Sequence, residues 1–173
     1  MLEFELKSIE MIRNKVLATI NGLSDEQLNK KVTEDRWSVA QLLNHLYTSE
    51  LGFTSLIKAG LENPESKEAK KRPLLLMLDR SQKVKVPDEL GPTDDFMTKD
   101  KLLQCLSESR EGLLKVLNEM NDNEDNYTKG IPNPVFKYLN LAQSVEFIGL
   151  HELRHWEQLN EIIIDSFYVP VAN

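Results

Sequence analysis

Four stretches of this chain carry apolar residues at every third or fourth position, and nothing in it reads as a sheet. A helix turns about every 3.6 residues, so this spacing lines apolar side chains along one face that other helices must cover. The first stretch runs from about Leu2 to Asn21, with Ile9, Ile12, Val16 and Ile20 as its stripe and Gly22 as a natural stop. Ser24 and Gln27 then have the spacing of a capping box for one short helical turn. The second stretch has the clearest start signal: Ser38 as N-cap, Gln41 three residues on, and Trp37 with Leu42 as a hydrophobic staple. Its stripe of Val39, Leu42, Leu46, Phe53 and Ile57 continues to Gly60, which reads as a C-cap. The third runs from about Lys99 to Met120 behind Thr98, with Leu102, Leu106, Leu113, Leu117 and Met120 on one face. The fourth starts near Asn140, with Gln143 three residues later, and extends to about Asp165; Leu141, Val145, Ile148, Leu159 and Ile162 form its core face. Four amphipathic helices predict an all-α four-helix bundle.

The connections differ in kind. Residues 121–134, NDNEDNYTKGIPNP, have the composition of a polar loop with strong turn chemistry. Residues 61–97 contain Pro64, Pro73, Pro87 and Pro92, which break any long helix. The burst Leu74–Leu78 suits a short helix packed on the bundle. A connection this long in a compact domain is often functional. It reads as a crossover between the second and third helices that also covers one end of a site.

Length and charge narrow the class. At 173 residues the chain is close to one domain of roughly 150 residues, so 1–173 is expected to be a single domain. The net charge of −7 argues against a nucleic-acid partner, which needs a concentrated basic face. No apolar run approaches the ~20 residues that span a bilayer, so no membrane partner is expected. Glu3, Glu5 and Glu10 interrupt any signal-peptide core, and Cys105 is the lone cysteine. Together these point to the cytoplasm, and a lone cysteine excludes a cysteine zinc cluster and an intrachain disulfide. Cys105 lies within a helical stripe and reads as a small buried hydrophobe.

Histidine is the scarce residue, and its placement carries the chemistry. The chain has three: His45, His151 and His155. His151 and His155 stand at i and i+4 in LHELRHWEQL, on the inward stripe where a helix normally places Leu or Ile. Two buried rings need partners, since an unsatisfied polar group costs roughly 1–3 kcal/mol. One shared divalent metal would satisfy both. His45, three residues after Leu42 at the edge of the second stripe, is a third candidate ligand if the second and fourth helices are neighbours. A single buried histidine is more often a hydrogen-bonded core residue; three, with none spent elsewhere, favour a metal. The segment His151-Glu152-Leu153-Arg154-His155 also matches the HExxH pattern of zinc proteases, with Glu152 as general base. That reading needs a third ligand, for which Glu161 and Asp165 are candidates on the same helix. Glu152 points about 100° from His151 around the helix, which suits a supporting or surface role better than a base. Arg154 reads as a solvated charge.

The segment WSVAQLLNHLYTSE, followed far downstream by FIGLHELRHWEQL, resembles the DinB-like superfamily of four-helix metalloproteins. The pattern is a Trp-Ser cap, a histidine one to two turns into the second helix, and HxxxHxxQ in the fourth. It falls on Trp37, Ser38, His45, His151, His155 and Gln158. KVPDELGPT, residues 85–93, is similar to the proline-bearing stretch of that family's crossover. The resemblance spans the chain in order and spacing. It implies antiparallel first and second helices and a long crossover to the third. It also implies a divalent ion on His45, His151 and His155, nickel or zinc first and manganese or iron next, with open positions for water. Gln158 could orient His155 or that water.

Two function classes follow. One is a metal-dependent enzyme of thiol S-transferase or hydrolase type, acting on a small-molecule substrate through an activated water or a thiolate. Related enzymes use low-molecular-weight thiols such as bacillithiol, mycothiol or glutathione. The other is a non-catalytic metal- or ligand-binding stress protein on the same fold. Family members often form homodimers, so a homodimer is expected. Metal binding is expected to weaken below about pH 6, since free imidazole titrates near 6.5.

Overall fold

The computed structural model describes residues 2–81, 91, 93–120 and 124–167. Its elements in chain order are α1 (Glu3–Ile20), α2 (Asp25–Asn29), α3 (Val39–Glu62), a 3-10 turn (Leu74–Leu78), α4 (Lys99–Glu119), α5 (Glu124–Thr128), β1 (Ile131–Asn133), β2 (Lys137–Leu139) and α6 (Leu141–Phe167). The fold is a four-helix bundle of α1, α3, α4 and α6. Ser24 and Ser38 both close full capping boxes with Gln27 and Gln41, and Thr98 accepts from the Lys101 N–H. Each cap satisfies amides that the first turn leaves unpaired, which is why these boundaries were readable. No helix among the described residues is long and apolar enough to cross a membrane.

Two apolar clusters define helix direction. One joins Val16 and Ile20 of α1, Leu42 to Leu46 of α3, Leu102 and Leu106 of α4, and Leu159 and Ile162 of α6. The other joins Leu2 and Ile9, Ile57, Leu113 and Leu117, and Leu141 to Ile148. The late half of α1 therefore meets the early halves of α3 and α4 and the late half of α6. So α1 and α6 are parallel, α3 and α4 are parallel, and the two pairs oppose each other. Gly149 lets α1 and α6 come close, since a Cβ there would stand 3.1 Å from Ile9 Cγ2.

Parallel α3 and α4 explain the length of the crossover, because the chain must return along the whole bundle before starting α4. The crossover is tied down on the way. The Ala69 N–H donates to Thr128 O (3.0 Å) and the Gly130 N–H to Lys67 O (2.8 Å). Leu74 and Met77 of the 3-10 turn pack with Leu139 and Phe147. Gln143, expected to complete a cap for α6, instead accepts from the Arg72 N–H (3.0 Å) and donates to Arg72 O (2.8 Å). Asn140 alone caps α6, through Oδ1 and the Gln143 N–H at 2.9 Å.

Two further expectations are corrected. The loop of residues 121–134 contains α5 and leads into an antiparallel ribbon, with Ile131 opposite Leu139 and Asn133 opposite Lys137. The strands are three residues each, too short to show alternation, and Pro132 is tolerated because both strands are edges. Asn133 Oδ1 accepts from the Val135 and Phe136 N–H groups, and Lys137 takes the left-handed conformation at φ 68°. Gly60 is not a C-cap: α3 continues to Glu62, and Gly60 makes room for β1. A Cβ there would lie 2.9 Å from Ile131 Cγ1 and 3.1 Å from its Cα.

Candidate metal centre

The Ser38 box fixes where α3 begins, and His45 follows two turns later, facing the core. It is 3% exposed. Antiparallel packing against α6 brings it beside His151 and His155, which share one face of that helix. Ring centroids are 5.3 Å apart for His45–His151, 4.8 Å for His45–His155 and 4.5 Å for His151–His155. One nitrogen from each ring can be chosen so that all three lie within 4.8 Å of one another. Imidazole nitrogens at about 2.1 Å from one ion stand at most ~4.2 Å apart, so small ring movements suffice to share it. The donor set suits a divalent transition ion.

The rings are held from several sides. His155 Nδ1 lies 3.0 Å from Gln158 Oε1, a contact that holds a proton on Nδ1 and leaves Nε2 to the cluster. Ser49 Oγ sits 3.4 Å from the His45 ring nitrogens, and Trp37 stands at 5.1 Å from the same ring. Phe53 and Phe147 pack on His151 at 5.3 and 6.4 Å. Burial, with the other two histidines and Arg154 nearby, holds the His151 pKa well below its usual value. Burial first, then His45, pushes His155 to about 3. The His151 and His155 rings are therefore neutral at neutral pH, the form that ligates. At His151 and His155 protons would compete with an ion only well below pH 6.

The crossover borders this site. Arg154, expected to be solvated, donates from Nη1 to Met77 O (2.8 Å) and Asp79 O (2.7 Å). Arg80 grips Glu161 through two 2.6 Å contacts. Most of the proline-bearing stretch 85–93 lies outside the described residues.

A second, largely buried cluster lies beside the histidines and was not anticipated. Each bundle helix contributes one charge from its apolar stripe: Arg13, Glu50, Arg110 and Glu152. Arg13 donates from Nε to Glu152, from Nη2 to Glu50 (2.9 Å) and from Nη1 to Leu106 O (2.6 Å). Arg110 donates from Nε to Glu50 (2.7 Å), from Nη2 to Glu152 (2.9 Å) and from Nη1 to Ile9 O (3.0 Å). Ser109 adds a hydroxyl to Glu50. Burial opposes the charge on Glu50, but Arg13 and Arg110 outweigh it and lower its pKa. The signal was present in the sequence: charges of both signs at stripe positions, between Ile12 and Val16, Leu46 and Phe53, Leu106 and Leu113, Ile148 and Leu159.

The model of the DinB superfamily matches residues 8–159. The chain belongs to this superfamily. The uncharacterized protein YuaE of Bacillus subtilis is 34% identical over 143 residues, covering 83% of this chain and 87% of that one. A protein of Oceanobacillus iheyensis named "Putative metal-dependent hydrolase OB0413" is 25% identical over 150 residues, covering 87% and 78%. Among solved structures, TT2238, a four-helix bundle protein, aligns with TM-score 0.62 at 17% identity, over 93% of this chain and 99% of that one. YfiT from Bacillus subtilis, described as a probable metal-dependent hydrolase with an unusual four-helix bundle topology, aligns at 0.63 and 16%, over 93% and 85%. These two establish the fold.

In this DinB chain the HExxH spacing does not assemble a protease centre. Both carboxylate oxygens of Glu152 hold arginines, so it cannot serve as a base beside His151. It is buried, which excludes the surface role as well. Helix α6 is unbroken, and the two candidate third ligands on it are engaged: Glu161 with Arg80 and Asp165 with Arg36.

Proposed function

We propose that this DinB protein is a metal-dependent enzyme of hydrolase or thiol S-transferase type. It acts on a small molecule, and His45, His151 and His155 hold one divalent ion, nickel or zinc first. The observation that carries this reading is the convergence of every histidine in the chain, from two helices about a hundred residues apart, on one cluster of rings. The relative from Oceanobacillus iheyensis, by its name, supports the hydrolase side. When bound, such an ion supplies Lewis acidity and lowers the pKa of a water or thiol it carries. The chain's own residues do the rest. Gln158 orients His155, and Ser49 sits beside the His45 ring. Phe53 and Phe147 keep one side dry, while the partly exposed His151 and His155 leave an approach for substrate.

The test has two stages. Metal-loaded protein is expected to hold about one ion per chain by elemental analysis; absence of stoichiometric metal with the histidines intact overturns the site. The loaded protein is then assayed with a panel of esters and of low-molecular-weight thiols plus an electrophile. Turnover of one class assigns hydrolase or transferase. Stoichiometric metal with no turnover across the panel favours a non-catalytic metal-binding protein.

A further inference from the structure

His151 differs from its two neighbours in how it is held. His155 is oriented by Gln158, and His45 has Ser49 beside its ring. The ring nitrogens of His151 have no hydrogen-bond partner among the described residues, and its contacts there are aromatic. A ligand imidazole nearly always donates its second ring N–H to a carboxylate, a carbonyl or a water, which fixes both tautomer and ring angle. The ring does border a cavity of about 10 Å³, whose polar wall is Arg13, Glu50 and Glu152 and whose apolar wall is Leu46, Phe53 and Ile148. That volume admits one water, which needs two to four polar partners. The cavity offers four: the imidazole, the two carboxylates and the guanidinium.

We propose that this cavity holds a structural water that accepts the His151 ring N–H and donates onward to Glu50 and Glu152. The Arg13–Glu50–Arg110–Glu152 quartet is then the positioning apparatus of the site. Its carboxylates hold the His151 proton on the cavity side and so aim the other nitrogen's lone pair at His45 and His155. The arginines hold those carboxylates in place. Glu50 and Glu152 are positioning residues that act through the water. The proposal rests on the three-histidine reading for its functional meaning, but the water and the tautomer can be observed without any ion.

Nitrogen-15 imidazole NMR of the metal-free wild-type protein is expected to show His151 as one neutral tautomer. Its N–H should exchange slowly and give a cross-peak to a long-lived water. A mixture of tautomers with no such cross-peak overturns the proposal and leaves the three-histidine reading untouched. Leu46→Phe fills the cavity without altering any charge, and Glu50→Gln keeps shape while removing charge. Folded samples of either are expected to lose the single tautomer and to bind Ni²⁺ about 10–100-fold more weakly in chelator competition, the usual range for a group that orients a ligand. Wild-type affinity and tautomer in folded Leu46→Phe would also overturn the proposal. Should neither variant fold, the wild-type NMR result decides. Failure of the wild-type protein to bind Ni²⁺ or Zn²⁺ at all, with the water and tautomer present, would instead overturn the metal reading.

Discussion

His45 is the residue on which the site depends most. His151 and His155 adjoin on one helix in any fold that keeps α6, whereas His45 reaches them only through the packing of α3 on α6. His45→Ala is therefore expected to weaken metal binding about as much as His155→Ala. Both losses should exceed the ~10–100-fold typical of a group that only orients a ligand, as read by chelator competition. Wild-type affinity in His45→Ala would refute the three-histidine site. Glu152 is the complementary case. Its removal leaves Arg13 and Arg110 short of a buried partner, so Glu152→Gln is expected to cost about 3–5 kcal/mol in chemical denaturation, as broken buried ion pairs do. A protease base would instead lose activity with stability intact. The residue scale also shows what one motif can conceal, since HExxH here joins two rings of the imidazole cluster and one member of a charge quartet.

At the scale of elements, α6 organises the molecule. It presents His151 and His155 to α3, Glu152 to α1 and α4, and Gln143, Arg154 and Glu161 to the crossover. The ribbon β1–β2 closes the opposite end against α3, and Gly60 sets that contact. Gly60→Ala places a methyl 2.9 Å from Ile131 Cγ1 and 3.1 Å from its backbone Cα, so the ribbon must shift. The expected loss is about 1–3 kcal/mol, in line with overpacked contacts. Because Gly60 stands about four helical turns from His45 along α3, the metal affinity of the folded variant should stay within twofold of wild type. A stability unchanged within 0.5 kcal/mol, about the scatter of neutral surface substitutions, would show that the contact yields more easily than its geometry implies.

For the whole molecule, acid should act through the histidines first. The folded pKa of His155 is depressed to about 3 and that of His151 lies well below normal, while the unfolded rings titrate near ~6.5. Between those limits the unfolded chain binds more protons, so stability present above pH 6.5 is lost as pH falls. The expected slope is roughly 1.4 kcal/mol per pH unit for each such ring. Glu50, with its lowered pKa, adds to the loss below about pH 4.3. Denaturant melts of metal-free protein between pH 7.5 and 4.5 check this, and we expect one cooperative transition because we propose that residues 1–173 fold as a single domain. A midpoint flat across that range would refute the lowered pKa values of His151 and His155. We also propose a homodimer in the cytoplasm; sedimentation at micromolar concentration should show twice the monomer mass, and a lone monomer would remove that claim without touching the site.

The four helices, their caps at Ser24, Ser38 and Thr98, and the bundle class were legible in the sequence, because a 3.6-residue stripe and a capping box are local signals that nothing distant has to supply. The i, i+4 pairing of His151 and His155 was legible for the same reason. What was not legible required two elements to meet. Gly60 looked like a helix end until Ile131 was seen to pack on it, and Gln143 looked like a cap partner until the crossover passed its side chain. The three-residue strands carry too little pattern to register alone. Arg13, Glu50, Arg110 and Glu152 were visible as misplaced charges, yet charges on an apolar stripe specify no partner until helix direction and register are known. The sequence by itself determined which faces are apolar and which residues could ligate. Only the tertiary structure, by running α1 with α6 and α3 with α4, decided that three imidazoles meet and that four charges pair with one another beside them. Side-chain identity sets what each group needs, and only packing sets what it finds.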